Sequence, residues 1–169
     1  MVAENKYIRP MTLADAPRAA EIHTFGWRCA YRGIVSDERL FNNMSVCERM
    51  ARFESAIRER SNESYVYDDG IVKAILTIGP CRDEDKPRSF ELWGIYVEPL
   101  MKRQGIGTEL VAFCEQQAFG RGYQENCLWV LEKNIDSRLF YEKMGYLPDG
   151  RRKWLDGLAA SEIRYGNVL

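Results

Sequence analysis

The sequence predicts an α/β fold with a mixed, mostly antiparallel sheet flanked by about four helices. Strand-like runs and helical patterns alternate along the whole chain of 169 residues. Asp-Gly dipeptides separate several neighbouring strand-like runs, which is typical of antiparallel hairpins. In the second half, a strand, a helix and a strand follow one another. This βαβ step predicts one parallel strand pair with a right-handed crossover.

Length and composition predict one domain, residues 1–169, which is large enough to bury a core without metal or disulfides. The chain has 24 Lys+Arg and 25 Asp+Glu, so its formal net charge is −1. This balance argues against a nucleic-acid partner, because binding to phosphates needs a basic excess. The longest apolar runs, such as residues 74–76, are far shorter than the ~20 residues of a membrane span. We therefore expect no membrane partner.

The N-terminal residues and the cysteines indicate a cytoplasmic protein. Residues Met1–Lys6 lack the apolar segment of a secretory signal. The five cysteines form no CxxC pair and no zinc-finger spacing, so we expect reduced, mostly buried thiols and no metal. They are Cys29, Cys47, Cys81, Cys114 and Cys127. A single histidine, His23, excludes a multi-histidine metal site, and a packed or solvated side chain is its default interpretation.

The first strand and helix are predicted from local signals. Tyr7–Met11 has the pattern of a strand. Thr12 and Asp15 resemble a capping box, and Pro17 suits a first helical turn. We therefore expect a helix from Asp15 to about residue 28.

A second helix and a hairpin follow. Ser45 and Glu48 form a clearer capping box, after which one apolar stripe recurs at helical spacing: Val46, Met50, Phe53 and Ile57. The β-rich runs 65–68 and 71–78 flank Asp69-Gly70, which predicts a hairpin with a type I′ turn.

The second half of the chain predicts a solvated loop at 80–89 and then alternating strands and helices. The apolar residues Leu110, Val111, Cys114 and Ala118 share one face of the helix that opens after Gly105. The predicted elements are a strand at 90–97, that helix, a strand at 127–131, a helix at 137–144, and a final strand pair from 146 to 165 broken by Asp149-Gly150 and Asp156-Gly157.

The turn between residues 97 and 108 is a candidate phosphate cradle. Glycine lets the backbone approach a ligand, and the first amides of a helix attract anions. Lys102 and Arg103 stand beside Gly105 and Gly107. A glycine-rich turn that binds nothing is the alternative. The turn lacks the motifs G-x-x-x-x-G-K-[ST] and G-x-G-x-x-G, so a P-loop nucleotidase and a complete dinucleotide fingerprint are set aside.

A second segment, residues 128–146, runs from a strand through Asn134 into a short helix. Ser137 and Tyr141 are four residues apart and share a helix face. Phe140 and Met144 share another face, which we expect to meet the core. For Tyr141 taken alone, structural packing would be the default interpretation.

Together the two segments resemble the GNAT N-acetyltransferase superfamily, from about residue 7 to the C-terminus and most clearly over 90–146. The family signature Q/R-x-x-G-x-G/A binds the pyrophosphate of acetyl-CoA and aligns with residues 102–107, although Lys102 replaces Gln or Arg. The resemblance implies a GNAT-like sheet with a central splayed parallel strand pair. It also implies these cofactor-binding residues: Ile95, Tyr96, Val97, Lys102, Arg103, Gln104, Gly105, Ile106, Gly107, Thr108, Asn134, Ser137 and Tyr141.

The resemblance further implies the chemistry of acetyl transfer. An acceptor amine attacks the thioester directly in a ternary complex, with Asn134 on the pantetheine arm and Tyr141 as the acid that protonates the thiolate. Backbone amides at 94–97 are candidate donors to the developing oxyanion. Glu91 is the candidate base, acting through water. The alternative is that the alternation of side chains along the strand places Glu91 in solvent or beside Arg88.

Trp27 and Tyr31 are candidate acceptor-binding residues, because they lie four apart where the family places the acceptor site. The alternative is that both rings are core residues. We expect acetyl-CoA as co-substrate and a small-molecule or peptide amine as acceptor, and a homodimer is compatible with the sequence. A non-catalytic acyl-CoA-binding regulatory module, a hydroxyl acceptor and a longer acyl chain stay open as alternatives.

Overall fold

A computed structural model describes residues 6–169, in which seven strands and four α-helices alternate as predicted. Short 3-10 or π turns occupy residues 13–15, 38–42, 99–101 and 156–158. The elements are β1 (Ile8–Pro10), α1 (Ala16–Ala30), α2 (Val46–Glu59), β2 (Glu63–Asp68), β3 (Val72–Pro80), β4 (Phe90–Val97), α3 (Ile106–Gly120), β5 (Glu125–Leu131), α4 (Ile135–Lys143), β6 (Leu147–Leu155) and β7 (Ala160–Val168). Residues 1–5, most of the segment on which the secretory-signal prediction rests, lie outside the described residues.

The strands form one sheet in the order β1-β2-β3-β4-β5-β7-β6. Neighbouring strands are antiparallel except β4 and β5, which are parallel. β4 and β5 pair only from Phe90 opposite Asn126 to Leu92 opposite Leu128, although both strands continue beyond that point. The sheet is therefore split at its centre, which confirms the splayed parallel pair.

A bulge in β4 coincides with the start of the split. Thr77 pairs with Gly94 and Ile78 with Leu92, so Trp93 is an extra residue in β4. A bulge bends its strand and increases the local twist. The Trp93 ring lies so close to Gly79 that a Cβ there would sit 2.9 Å from a ring carbon. Glycine in β3 thus makes room for the ring.

Helices cover both faces of the sheet, and alternate residues of β3 show this directly. Ile75 packs with the apolar residues of α1 and α2, whereas Ala74 and Leu76 pack with those of α3. The predicted stripe of α2 and the predicted apolar face of α3 both face these cores. No helix within residues 6–169 has the length and apolar character that crossing a bilayer requires.

Residues before α1 form the capping arrangement that the sequence predicts. The Asp15 carboxylate accepts hydrogen bonds from the Thr12 amide at 2.8 Å and the Thr12 hydroxyl at 2.7 Å. It also accepts two bonds of 2.8 Å from the Arg9 guanidinium. This hydrogen bonding to Arg9 lowers the pKa of Asp15 to about 2. The hydrogen bonds between Arg9 and Asp15 therefore connect the start of α1 to β1.

Two turn predictions are wrong in detail. In the β2–β3 turn, Gly70 has a positive φ of 116° but Asp69 does not, so the turn is not type I′. Asp149-Gly150 does not break the last strand pair. It lies within β6, where the register shift between Pro148 and Arg152 marks an irregularity and Gly150 has a φ of 88°.

The cysteines are free, but the prediction that most are buried is wrong. Cys29 and Cys47 are exposed, and Cys81 is half-buried. Cys114 and Cys127 are buried. Cys29 and Cys47 lie on helix faces that point away from both cores. The general tendency of cysteine to be buried does not reveal this.

Candidate active site

A cleft of about 590 Å³ opens where β4 and β5 separate, between α3 and α4. All of the predicted cofactor-binding residues except Gln104 line this first cavity. The Gln104 side chain is exposed and its Nε2 lies 3.7 Å from the Met101 sulfur. Gln104 is therefore not part of the cavity wall.

The N-terminus of α3 presents unpaired amides to the first cavity. The first intrahelical hydrogen bond runs from the Glu109 amide to the Gly105 carbonyl at 3.1 Å. The amides of residues 106–108 precede it and have no intrahelical partner. Gly105 (φ 87°) and Arg103 (φ 63°) both adopt the left-handed conformation that forms this turn. With the cationic side chains of Lys102 and Arg103 beside them, these amides fit a pyrophosphate.

α3 and α4 approach each other closely at this end. A Cβ on Gly107 would lie 3.3 Å from the Phe140 ring, so glycine permits the contact. α4 begins at Asn134, whose side-chain oxygen accepts a hydrogen bond from the Ser137 amide at 3.3 Å. Its side-chain NH₂ group makes no hydrogen bond within residues 6–169. That group is available to a ligand in the first cavity.

Tyr141 is both a core residue and a wall of the first cavity. Its side chain is 7% exposed, and its ring packs against Phe140 and Tyr146 at centroid distances of 5.2 and 6.0 Å. Burial raises the pKa of Tyr141 above that of a free tyrosine. The hydroxyl is therefore protonated at neutral pH, and it can donate a proton or a hydrogen bond into the cavity.

A second cavity of about 470 Å³ lies beside the first, and Glu91, Trp93 and Tyr96 of β4 line it. Tyr31 and Tyr96 line both cavities, so the two spaces meet at these rings. Trp27 and Tyr31 share one face of α1 as predicted, with ring centroids 4.8 Å apart. Trp27 lines the second cavity and donates from Nε1 to the Tyr96 hydroxyl at 2.9 Å. Both rings are partly buried against a small core cluster as well.

Glu91 lies in the wall of the second cavity, but its neighbour is not the predicted one. The side chain is 1% exposed and pairs with Arg82, not with solvent or Arg88. It accepts bonds from the Arg82 amide at 3.0 Å, from Nε at 3.1 Å and from a terminal guanidinium nitrogen. The carboxylate hydrogen bonds raise the pKa of Arg82. A carboxylate has about four acceptor positions, so one is left for another donor.

The loop at 80–89 is mostly exposed, as predicted, and ion pairs also anchor it to β7. The Arg164 side chain on β7 is 4% exposed and pairs with Asp83 at 2.9 Å and Asp85 at 2.7 Å. Asp83 also accepts a 2.8 Å bond from the Trp129 indole. This network holds Trp129 in the wall of the second cavity. Sequence reasoning missed these residues, because their hydrogen bonds join positions that are 46 and 81 residues apart in the chain.

His23 packs beside the junction of the cavities and takes no part in a metal site. Its ring lies 4.6 Å from Tyr96 and 5.5 Å from Trp27, and its Nδ1 is buried without a hydrogen-bond partner. Burial lowers the pKa of His23 to about 3. Within residues 6–169, no group of three or more His, Cys, Asp or Glu side chains could hold a metal ion.

The buried histidine predicts a pH dependence of stability. Below about pH 6.5 the unfolded chain binds a proton at His23 that the folded chain does not bind until about pH 3. Stability should therefore fall by about 2 kcal/mol between about pH 6.5 and about pH 5. Urea unfolding measures this, and His23→Gln should remove most of the slope. An equal slope in both proteins would show that His23 does not cause it.

Comparisons with known proteins agree with this geometry. Residues 27–146 match the acetyltransferase (GNAT) family. The uncharacterized N-acetyltransferase YuaI of Bacillus subtilis is 30% identical over 84% of this chain and 79% of its own length. The PaiA N-acetyltransferase of Thermoplasma acidophilum, solved in complex with coenzyme A, has a TM-score of 0.74 and 20% identity over 96% of this chain and 98% of its own. The chain therefore belongs to the acetyltransferase (GNAT) family.

Proposed function

We propose that this protein is an acetyl-CoA-dependent N-acetyltransferase that acetylates a primary amine of a small molecule or peptide by direct attack in a ternary complex. The observation that carries the proposal is the pair of cavities that meet at Tyr31 and Tyr96. Two substrates can thus reach one point from different directions. All seven strands belong to one sheet, which supports residues 1–169 as a single domain.

The first cavity is the proposed site of acetyl-CoA. The free amides at the start of α3, with Lys102 and Arg103, would hold the pyrophosphate. Backbone groups of β4 beyond Leu92 have no ladder partner on β5, so they and the Asn134 amide are free to bind the pantetheine arm. When bound, acetyl-CoA supplies an activated acetyl group as a thioester. The residues of this chain position it and move the protons.

We assign the acid to Tyr141 and the oxyanion donors to backbone amides at 94–97. Tyr141 keeps its proton at neutral pH because burial raises its pKa, and that proton can pass to the departing thiolate. The bulge at Trp93 turns the following residues of β4 away from β5. Their amides can then donate to charge that develops on the carbonyl oxygen.

Glu91 is the proposed base, acting through water. Arg82 fills three acceptor positions of the carboxylate, and the remaining one can hold a water in the second cavity. Glu91→Gln keeps the shape of the side chain and removes its charge. We expect kcat to fall by about 100-fold below about pH 7, where the amine depends most on a base. An unchanged kcat would show that a group other than Glu91 acts as the base.

Binding and turnover test the proposal separately. Acetyl-CoA at about 100-fold above its Kd should stabilise the protein by about 2.7 kcal/mol, which a thermal shift detects. Release of the coenzyme A thiol is then followed with a panel of primary amines. Binding without turnover of any amine would support the non-catalytic module instead. Absence of both binding and turnover would contradict both functions.

A further inference from the structure

Five aromatic residues line the second cavity. Trp27, Trp93 and Trp129 line it together with Tyr31, Tyr96 and three leucines. The volume of about 470 Å³ is within the range of small-molecule sites. The volume and the aromatic side chains suit a small ligand with an aromatic body.

The polar edges of the three tryptophans are already used by the protein. The Trp27 indole donates to Tyr96 at 2.9 Å and the Trp93 indole to the Pro80 carbonyl at 3.2 Å. The Trp129 indole donates to Asp83 at 2.8 Å. Because an indole has a single donor, these rings can offer a ligand only carbon surface and π faces.

The charges on the wall are paired among themselves. Arg82 pairs with Glu91, and Lys153 lies 2.9 Å from Glu162. Asp83 pairs with Arg164, which does not line the cavity. Each cation of the wall also lies over an indole: Arg82 over Trp93 at 4.7 Å and Lys153 over Trp129 at 3.9 Å. An acidic group of a ligand that approached either cation would therefore lie beside a carboxylate of the wall.

The wall itself carries three carboxylates and two cations: Asp83, Glu91 and Glu162 against Arg82 and Lys153. Arg164 balances Asp83, so each of these carboxylates has a cationic partner. Glu91 keeps one acceptor position, which can receive a ligand ammonium ion. A carboxylate or phosphate on the ligand would instead lose part of its hydration and be repelled by the carboxylate that pairs with each cation. The charge pattern thus selects amines and rejects amino acids.

We propose that the acceptor is a small arylalkylamine without an acidic group. The inference rests on the proposed function, because the same cavity would receive the acceptor. The aromatic body packs among the three indoles, and the amine points to the junction at Tyr31 and Tyr96, where the first cavity begins.

Two matched pairs of acceptors test whether the acceptor is an arylalkylamine without an acidic group. Phenylethylamine and phenylalanine differ only in a carboxylate, and phenylethylamine and ethylamine differ only in the ring. We expect kcat/KM for phenylethylamine to exceed that for each of the others by about 100-fold or more. Equal use of phenylalanine, or a preference for ethylamine, would overturn the proposal.

A charge variant tests the reason for the selectivity. Glu162→Gln removes the partner of Lys153 and frees a cation on the wall. We expect the kcat/KM of phenylalanine relative to phenylethylamine to rise by about 10-fold. Glu132→Gln removes the partner of Arg152 outside the cavity and should leave this ratio unchanged. An unchanged ratio in Glu162→Gln would show that paired charges do not exclude acids.

Calorimetry separates this proposal from the proposed function. If acetyl-CoA binds but no amine is acetylated, calorimetric titration with phenylethylamine shows whether the second cavity binds an arylalkylamine. Absence of this binding would overturn the proposed class of acceptor. If acetyl-CoA does not bind, the proposed function fails. Binding of phenylethylamine, reduced by Trp129→Ala, would in that case still support the cavity as an arylalkylamine site.

Discussion

We expect Tyr141→Phe to lower kcat for acetyl transfer by about 100-fold or more, the scale of general acid catalysis, with little change in acetyl-CoA affinity. Phenylalanine keeps the ring that packs against Phe140 and Tyr146. Only the hydroxyl is lost, so the leaving thiolate loses its proton donor. Rates of thiol release and calorimetric binding of acetyl-CoA measure the two effects.

Tyr123→Phe is the matched control for Tyr141→Phe. The Tyr123 ring packs on Phe90 at 5.1 Å and lines neither cavity. We expect this variant to keep the kcat of the wild type. A Tyr141→Phe enzyme with unchanged kcat would make Tyr141 a packing residue only, with water or the acceptor supplying the proton.

Gly105→Val should abolish the stabilisation of about 2.7 kcal/mol that acetyl-CoA provides at 100-fold excess over Kd. Gly105 has a φ of 87°, which a β-branched residue adopts only with strain. Relief of that strain would turn the free amides of α3 away from the pyrophosphate. A Cβ at this position meets nothing within 4 Å, so the variant should still fold. Thermal unfolding with and without acetyl-CoA measures both properties.

Gly122→Val imposes the same kind of strain at the other end of α3. Gly122 has a φ of 83°, and a Cβ there also meets nothing within 4 Å. We expect this variant to lose about as much stability as Gly105→Val, because the backbone penalty is similar. It should keep the full acetyl-CoA shift. If acetyl-CoA stabilised Gly105→Val as much as the wild type, the turn before α3 would not be part of the cofactor site.

The order of strands and helices could be predicted because it depends on local patterns. The hydrophobic spacing of α2 and α3 and the cap at Thr12 and Asp15 act within a few residues of each other. The first cavity followed from two motifs that both lie beside the split of β4 and β5. Gln104 is the exception, because its exposed side chain lies near Met101 and does not line the cavity.

The second cavity could be predicted only at Trp27, Tyr31 and Glu91. The position of Asp83 in its wall depends on a contact between residues far apart in the chain. Arg164 fixes Asp83 from 81 residues away, and no local pattern specifies such a pair. The bulge at Trp93 likewise depends on its neighbour β3, whose Gly79 leaves space for the ring.

Initial rates measured with acetyl-CoA and the acceptor varied together test the central claim most directly. Direct attack in a ternary complex predicts double-reciprocal lines that intersect, and no acetyl group on protein incubated with acetyl-CoA alone. Parallel lines, together with an acetylated protein formed before the acceptor is added, would contradict it.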